Sequence, residues 1–201
     1  MLKTGLSRYA LVIGVDTLSK ITDFTDRETC VLFGDGAGAV VLGPTTAGRG
    51  FLSFELGADG GGAHLLRQPA GGSRLPASYA SVEARKHYIT MSGQEVFRFA
   101  VRILAVSTEA ALAKAELAPS DIDLLIPHQA NSRIIETAIN RLAVPPEKVY
   151  INLDRYGNTS SASIPIALDE VVRLGKLRER DVLVMVAFGA GLTWGATVVR
   201  W

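Results

Sequence analysis

The sequence of 201 residues predicts an α/β fold built on a mixed sheet. Short, continuous apolar runs such as 9–15 and 182–188 have the length of buried strands. Longer segments such as 93–117 repeat apolar residues at steps of three and four, which indicates helices. Strands and helices alternate along much of the chain, as in α/β proteins. The last two strands are expected to form an antiparallel hairpin, so the sheet should be mixed.

The individual elements follow from these patterns in chain order. Strands are predicted at 9–15, 40–42, 51–56, 124–126, 149–151, 181–188 and 193–201, and helices at 93–117, 131–142 and 160–174. The first strand is expected to be buried on both faces. Pro145-Pro146 should end the second helix, and Gly175 should cap the third. The segment 59–81 is too irregular for one element and long for a connection, so we expect it to be functional or mobile.

Composition excludes several classes of protein. The charges nearly balance, with 21 Lys+Arg against 20 Asp+Glu, which gives no electrostatic case for binding nucleic acid. No uninterrupted apolar run reaches the roughly 18–20 residues of a membrane-spanning helix. Cys30 is the single cysteine, so a disulfide-stapled secreted protein is not indicated. We therefore expect a cytoplasmic protein with neither nucleic-acid nor membrane partners.

Two polar segments follow predicted strands. His128 lies in Pro127-His128-Gln129-Ala130-Asn131, where the chain leaves a strand at the carboxyl end that α/β folds use for their sites. It is either an acid–base group or a histidine that only hydrogen-bonds the turn. Asn158 follows Gly157 and offers an amide donor, although Asn158-Thr159-Ser160 is also an ordinary helix cap, which is the favoured reading of that segment alone.

Two glycine-rich segments and Cys30 each allow a functional and a structural interpretation. Small residues in 188–195 either aim backbone amides at an oxyanion or simply form a tight hairpin. The run 34–38 could suggest a dinucleotide site, but a strand rather than a helix follows it, so close strand packing is the better account. Cys30 lies in the apolar segment that precedes this run, and we expect its thiol to be buried and unreactive.

Taken together and in this order, these segments resemble the β-ketoacyl-acyl-carrier-protein synthase III family of the thiolase superfamily. The match covers nearly the whole chain. The matching segments are 26–27, 32–39, 127–131, 157–160 and 188–195. The resemblance implies a thiolase-like layered fold made of two similar halves, and usually a homodimer.

The resemblance also implies an acyltransferase that initiates fatty-acid synthesis. In this family an acyl group passes from coenzyme A to a cysteine, malonyl-acyl-carrier protein loses carbon dioxide, and the resulting enolate attacks the acyl-enzyme. The implied partners are acyl-CoA and acyl-carrier protein. No metal and no cofactor are implied, because coenzyme A enters as a thioester substrate.

The same resemblance assigns catalytic roles. His128 and Asn158 match the histidine and asparagine of a Cys-His-Asn site, and both should donate hydrogen bonds to the thioester oxygen. His128 should therefore be neutral. Phe188 matches an aromatic gate between the malonyl carboxylate and the nucleophile. Ala190 should offer a backbone N–H to the acyl-transfer oxyanion, at a position where glycine is usual in the family.

Four further residues are assigned to substrate binding by the resemblance. Gly93 and Asn131 should line the pantetheine tunnel, and Phe97 should help to wall the site. Arg133 lies where a basic residue should meet the acidic carrier protein.

The chain departs from the family pattern at the nucleophile. The family's catalytic cysteine precedes the strand at 9–15, and Cys30 does not match it. We expect 1–50 to be the end of an incomplete amino-terminal half and 51–201 to be the carboxy-terminal half, inactive alone. The alternatives are a related thiolase-fold acyltransferase of secondary metabolism and a non-catalytic fragment that binds the carrier protein. A nicotinamide oxidoreductase is disfavoured.

Overall fold

A computed structural model describes residue 2 and residues 4–201, and it has the α/β class that the sequence predicts. The strands are β1 Ala10–Thr17, β2 Asp35–Leu42, β3 Gly50–Ala58, β4 Leu66–Arg67, β5 Thr90–Met91, β6 Leu124–Pro127, β7 Val182–Gly189 and β8 Thr193–Arg200. The helices are α1 Tyr79–Glu83, α2 Gly93–Lys114, α3 Ser132–Leu142, α4 Leu153–Tyr156 and α5 Ser163–Arg173. No helix in this part of the chain has both the length and the apolar character to cross a membrane.

The main sheet is mixed, as predicted. Its strand order is β3-β8-β7-β6, with β6 parallel to β7 and the other neighbours antiparallel. β7 and β8 form the expected hairpin, in which Gly189 pairs with Thr193. β1 and β2 form a separate antiparallel pair, and β4 pairs with β5 over two residues.

Helices cover both faces of the main sheet. Leu125 of β6 packs into a core with α2 and α3, whereas its neighbours Leu124 and Ile126 pack against α5 on the other face. Successive side chains of a strand point to opposite faces, so a strand covered on both sides must be apolar throughout. This is why β6 reads as one continuous apolar run, and why its carboxyl end can position a residue between two helical layers.

Glycines let the β1–β2 pair approach both the start of α5 and the turn before it. A Cβ atom added at Gly36 would lie 3.0 Å from the Thr159 side chain, and one at Gly38 would lie 2.8 Å from the Pro165 ring. Both positions belong to β2, and no helix follows them. Close packing is therefore confirmed as the reason for this glycine run, against the dinucleotide interpretation.

The prediction that the first strand is buried on both faces is wrong. On one face of β1, Gly14 and Asp16 lie against the turn at Ser160–Ala162. On the other face, Leu11, Ile13 and Val15 are about 60% exposed. Within the described residues β1 pairs with β2 alone, and a two-stranded sheet packed on one side leaves its other face uncovered.

The strand predicted at 149–151 is also wrong. Val149 makes a single parallel bridge to Leu125, and residues 150–152 form no strand. The amide group of the Gln129 side chain makes the backbone hydrogen bonds that a neighbouring strand would otherwise make with this segment. Its Nε2 donates to the Tyr150 carbonyl over 3.2 Å, and its Oε1 accepts from Asn152 N–H over 3.0 Å.

The remaining elements agree with the sequence patterns. α3 ends before Pro145, and Gly175 follows α5 with a φ of +62°, as expected for a left-handed cap. The predicted third helix begins as a 3-10 turn over Ser160–Ala162 and becomes α-helical at Ser163. The segment 59–81 contains a 3-10 turn, two strand residues and the start of α1, so it is irregular as predicted.

Candidate active site

A cleft of about 580 Å³ lies at the carboxyl ends of β6 and β7, beside the start of β8. Four of the residues singled out in the sequence line it together: His128, Asn158, Phe188 and Ala190. They come from three separate segments of the chain. The walls of the cleft are largely apolar, and His128 and Asn158 are among its polar residues.

His128 extends the parallel ladder by one step, because its N–H donates to the Val186 carbonyl over 2.7 Å. Its side chain is buried, and its ring meets Phe188 edge to face with the centroids 5.8 Å apart. Burial lowers the pKa of His128 to about 4, since a charged ring would lose its hydration there. The imidazole is thus neutral at neutral pH, which agrees with the sequence-based expectation.

The two ring nitrogens of His128 have different surroundings. Nδ1 lies 2.7 Å from the hydroxyl of Ser163, the first residue of α5. Nε2 makes no hydrogen bond within the described residues, yet it is not sealed from solvent. It is therefore the nitrogen that is available to a molecule in the cleft.

Asn158 is held by the backbone on both sides. Its N–H donates to the Leu32 carbonyl over 3.2 Å, and its carbonyl accepts from Gly34 N–H over 2.8 Å. The preceding Gly157 has a φ of +66°, a left-handed value that favours glycine. Asn158 Oδ1 accepts from Ser160 N–H over 2.9 Å. The capping interpretation is not confirmed for Asn158, because the cap residue of the 3-10 turn Ser160–Ala162 is Thr159 and it makes no side-chain cap bond. The local turn bond uses Oδ1 of Asn158 and leaves Nδ2 as a donor.

The loop after β7 carries the other two predicted residues. Phe188 contacts both His128 and Phe99, the latter at 6.3 Å between ring centroids. Ala190 lies at the exposed tip, where its carbonyl accepts from the Thr193 hydroxyl over 3.1 Å. Its N–H has no hydrogen-bond partner among the described residues, so this backbone donor is available to a ligand.

The other four predicted residues do not line this cleft. Gly93 begins α2, and Phe97 packs partly buried against the core. Asn131 caps α3 by accepting from Arg133 N–H over 2.9 Å, and the Arg133 side chain is exposed on the first turn. Their roles in binding substrate or carrier protein stay predictions.

Several lining residues were not assigned a role from the sequence. Leu66, Arg67 and Gln68 reach the cleft from the irregular segment 59–81, whose length was the signal for a functional connection. Trp194 also lines the cleft, and its ring meets that of Phe99 edge to face with the centroids 5.9 Å apart.

Cys30 does not line the cleft. It lies half-buried in a turn, where its N–H donates to the Asp26 carbonyl over 3.0 Å. Full burial was therefore the wrong expectation, although its absence from the cleft lining agrees with a thiol outside the site.

Comparison with known proteins identifies the family. The model for 3-oxoacyl-[acyl-carrier-protein] synthase III matches residues 1–74, and the model for the carboxy-terminal part of the same enzymes matches residues 112–201. The chain belongs to the 3-oxoacyl-[acyl-carrier-protein] synthase III family. Of the residues that line the cleft, all but Ile89, Met91 and Val96 lie within one of the two matched ranges.

Two curated synthase III proteins illustrate the similarity. The one from Caldanaerobacter subterraneus is 57% identical over 199 residues, which are 99% of this chain and 60% of that protein. The one from Symbiobacterium thermophilum is 59% identical over 98% of this chain and 60% of its own length. The chain thus spans about 60% of the length of these relatives.

Solved structures agree with this assignment. The crystal structure of synthase III from Thermus thermophilus is 51% identical, with a TM-score of 0.91 over 100% of this chain and 61% of that chain. The priming β-ketosynthase of the R1128 polyketide pathway is 35% identical, with a TM-score of 0.87 over 98% of this chain and 59% of that chain. The thiolase-like layered fold predicted from the resemblance is confirmed.

Proposed function

We propose that this chain forms the decarboxylating side of a β-ketoacyl-acyl-carrier-protein synthase III active site. The reaction is the decarboxylative Claisen condensation of acyl-CoA with malonyl-acyl-carrier protein, which gives 3-oxoacyl-carrier protein. The observation that carries the proposal is the shared cleft. His128 and Asn158 both line it, each with one side-chain nitrogen free of hydrogen bonds within the described residues.

The chemistry of decarboxylation suits this pair of residues. The bond between the malonyl carboxylate and the α-carbon breaks, carbon dioxide leaves, and the electron pair forms an enolate whose charge is on the thioester oxygen. Two N–H donors aimed at that oxygen stabilise the charge as it develops. A neutral imidazole can donate this hydrogen bond without protonating the enolate fully, and the low pKa of His128 keeps it neutral.

The condensation step requires an acyl-cysteine. The enolate carbon attacks the acyl thioester, and the cysteine thiolate leaves. Cys30 does not line the cleft, so we propose that the nucleophile comes from the part of the family's length that this chain does not span. Ala190 N–H would hold the oxyanion of acyl transfer, and Phe188 would separate the two substrates.

The proposal extends to partners. Acyl-CoA and acyl-carrier protein would be the substrates, with no cofactor besides the coenzyme A thioester, in a cytoplasmic homodimer. Gly93, Phe97 and Asn131 would line the pantetheine path, and exposed Arg133 would meet the acidic carrier protein. A secondary-metabolite acyltransferase is less well supported, because the polyketide relative is less similar than the synthase III relatives.

The test uses a chimera in which this chain replaces the matching part of the Thermus thermophilus enzyme. Carbon dioxide release from malonyl-acyl-carrier protein should fall about 100- to 1,000-fold in His128→Ala, the usual effect of losing one oxyanion donor. His64→Ala is the matched control, because His64 is exposed and does not line the cleft. An unchanged rate in His128→Ala would show that the proposed mechanism is wrong.

A further inference from the structure

Ser163 is a buried hydroxyl that the proposed reaction does not yet use. Only 3% of its surface is exposed, and it is the first residue of α5. It follows Asn158, the other proposed donor, by five positions in the chain. Its Oγ lies 2.7 Å from Nδ1 of His128, a short and well-buried contact.

The direction of this hydrogen bond follows from counting protons. Ser163 Oγ has two partners in the described residues, which are Gln129 N–H at 3.5 Å and His128 Nδ1. A backbone N–H can only donate, so the hydroxyl proton has one acceptor, the Nδ1 atom. A neutral imidazole carries one proton, and if Nδ1 accepts, that proton is on Nε2.

We propose that Ser163 is a positioning residue that holds neutral His128 in the tautomer with its proton on Nε2. This nitrogen is the one open to the cleft. The other tautomer would aim a lone pair at the cleft and repel a developing oxyanion. The inference rests on the proposed function for its catalytic meaning, but the tautomer itself is a property of the chain without substrate.

The test is ¹⁵N NMR of the labelled 201-residue chain near pH 7.5, where chemical shifts separate protonated from unprotonated ring nitrogens. We expect wild-type His128 to be protonated at Nε2. Ser163→Ala should raise the ratio of the Nδ1-protonated form to the Nε2-protonated form about fivefold, the effect of losing one neutral hydrogen bond.

The chain offers an internal control. Ser81 Oγ lies 2.9 Å from Nε2 of His87, a second serine–histidine pair outside the cleft. Ser81→Ala should leave the shifts of His128 unchanged. Protonation of wild-type His128 at Nδ1, or an unchanged tautomer ratio in Ser163→Ala, would overturn the inference. The wild-type spectrum shows which ring nitrogen of His128 is protonated even if Ser163→Ala does not fold.

Neither NMR result depends on carbon dioxide release. A failure of the proposed function would therefore appear in the assay of the chimera and not in these spectra.

Discussion

At the scale of single residues, the burial of His128 connects the candidate site to the stability of the fold. Its pKa is about 4 in the folded chain, against an ordinary value of 6.5. The folded state therefore binds fewer protons than the unfolded state below pH 6.5. Above pH 6.5 the ionisation of His128 does not affect the free energy of unfolding. As the pH falls from about 6.5 to about 4, the free energy of unfolding decreases by about 3 kcal/mol in total.

Urea unfolding between pH 4 and 7 measures this dependence. His128→Gln cannot titrate, so the difference in unfolding free energy between wild type and variant should decrease toward low pH. Carboxyl groups titrate in both proteins and cancel in the difference. Parallel curves for the two proteins would mean that His128 is not buried as a neutral ring.

The two ends of the Asn158 amide have different roles that substitutions can separate, because Oδ1 holds the local turn and Nδ2 is the proposed donor. Asn158→Asp keeps an oxygen for Ser160 N–H but replaces the free amide with a negative charge. We expect nearly wild-type stability and a loss of carbon dioxide release of more than about 100-fold in the chimera. Asn158→Ala should also lose the hydrogen bond from Ser160 N–H, at about 1 kcal/mol of unfolding free energy. Equal rates in wild type and Asn158→Asp would argue against the donor role.

Some site residues were predictable from sequence and others were not. His128 and Asn158 stand out locally, since one follows a buried strand and the other follows a glycine with positive φ. Local sequence left the role of His128 open and favoured a cap for Asn158, so their catalytic roles were predicted from the family resemblance. Ser163 has no such signal, because a serine at a helix start is ordinary. Its role depends on α5 packing beside β6, which is a tertiary contact between residues 35 positions apart.

At the scale of elements, apolar periodicity was a good guide where both faces of a strand are covered. β6 is buried at every position and was predicted within one residue. The prediction at 149–151 was wrong because one side chain, Gln129, satisfies the backbone that a strand would pair. Strand propensity does not contain that information.

The β2–α5 contact makes a testable prediction at this scale. Gly38→Ala would place a methyl group 2.8 Å from the Pro165 ring, so the strand or the helix must shift. We expect a loss of about 1–3 kcal/mol in unfolding free energy, as for other overpacked sites. Gly60→Ala is the control, because no atom lies within 4 Å of the added methyl. Equal unfolding midpoints in urea for the two variants would contradict this packing.

At the scale of the whole molecule, the uncovered sheet faces are the main difference from an ordinary domain. The division at residue 50 stays a prediction, with β3 beginning at Gly50 and the β1–β2 pair preceding it. Sequence alone indicated that β1 needs covering, because its residues are apolar on both faces. It could not indicate what covers them, since that depends on surfaces outside this chain's own contacts.

Exposed apolar strands should make the 201-residue chain self-associate. Leu11, Ile13 and Val15 form one row on β1, and they are about 60% exposed. An open, apolar edge strand pairs readily with a second copy. We expect sedimentation velocity to show oligomers that dissociate on dilution, and Ile13→Lys to shift the distribution toward monomer. Val172→Lys, at an exposed helical position, is the matched control and should not. A wild-type chain that stays monomeric at about 100 µM would contradict the expectation, because it would show that the exposed face of β1 does not drive self-association.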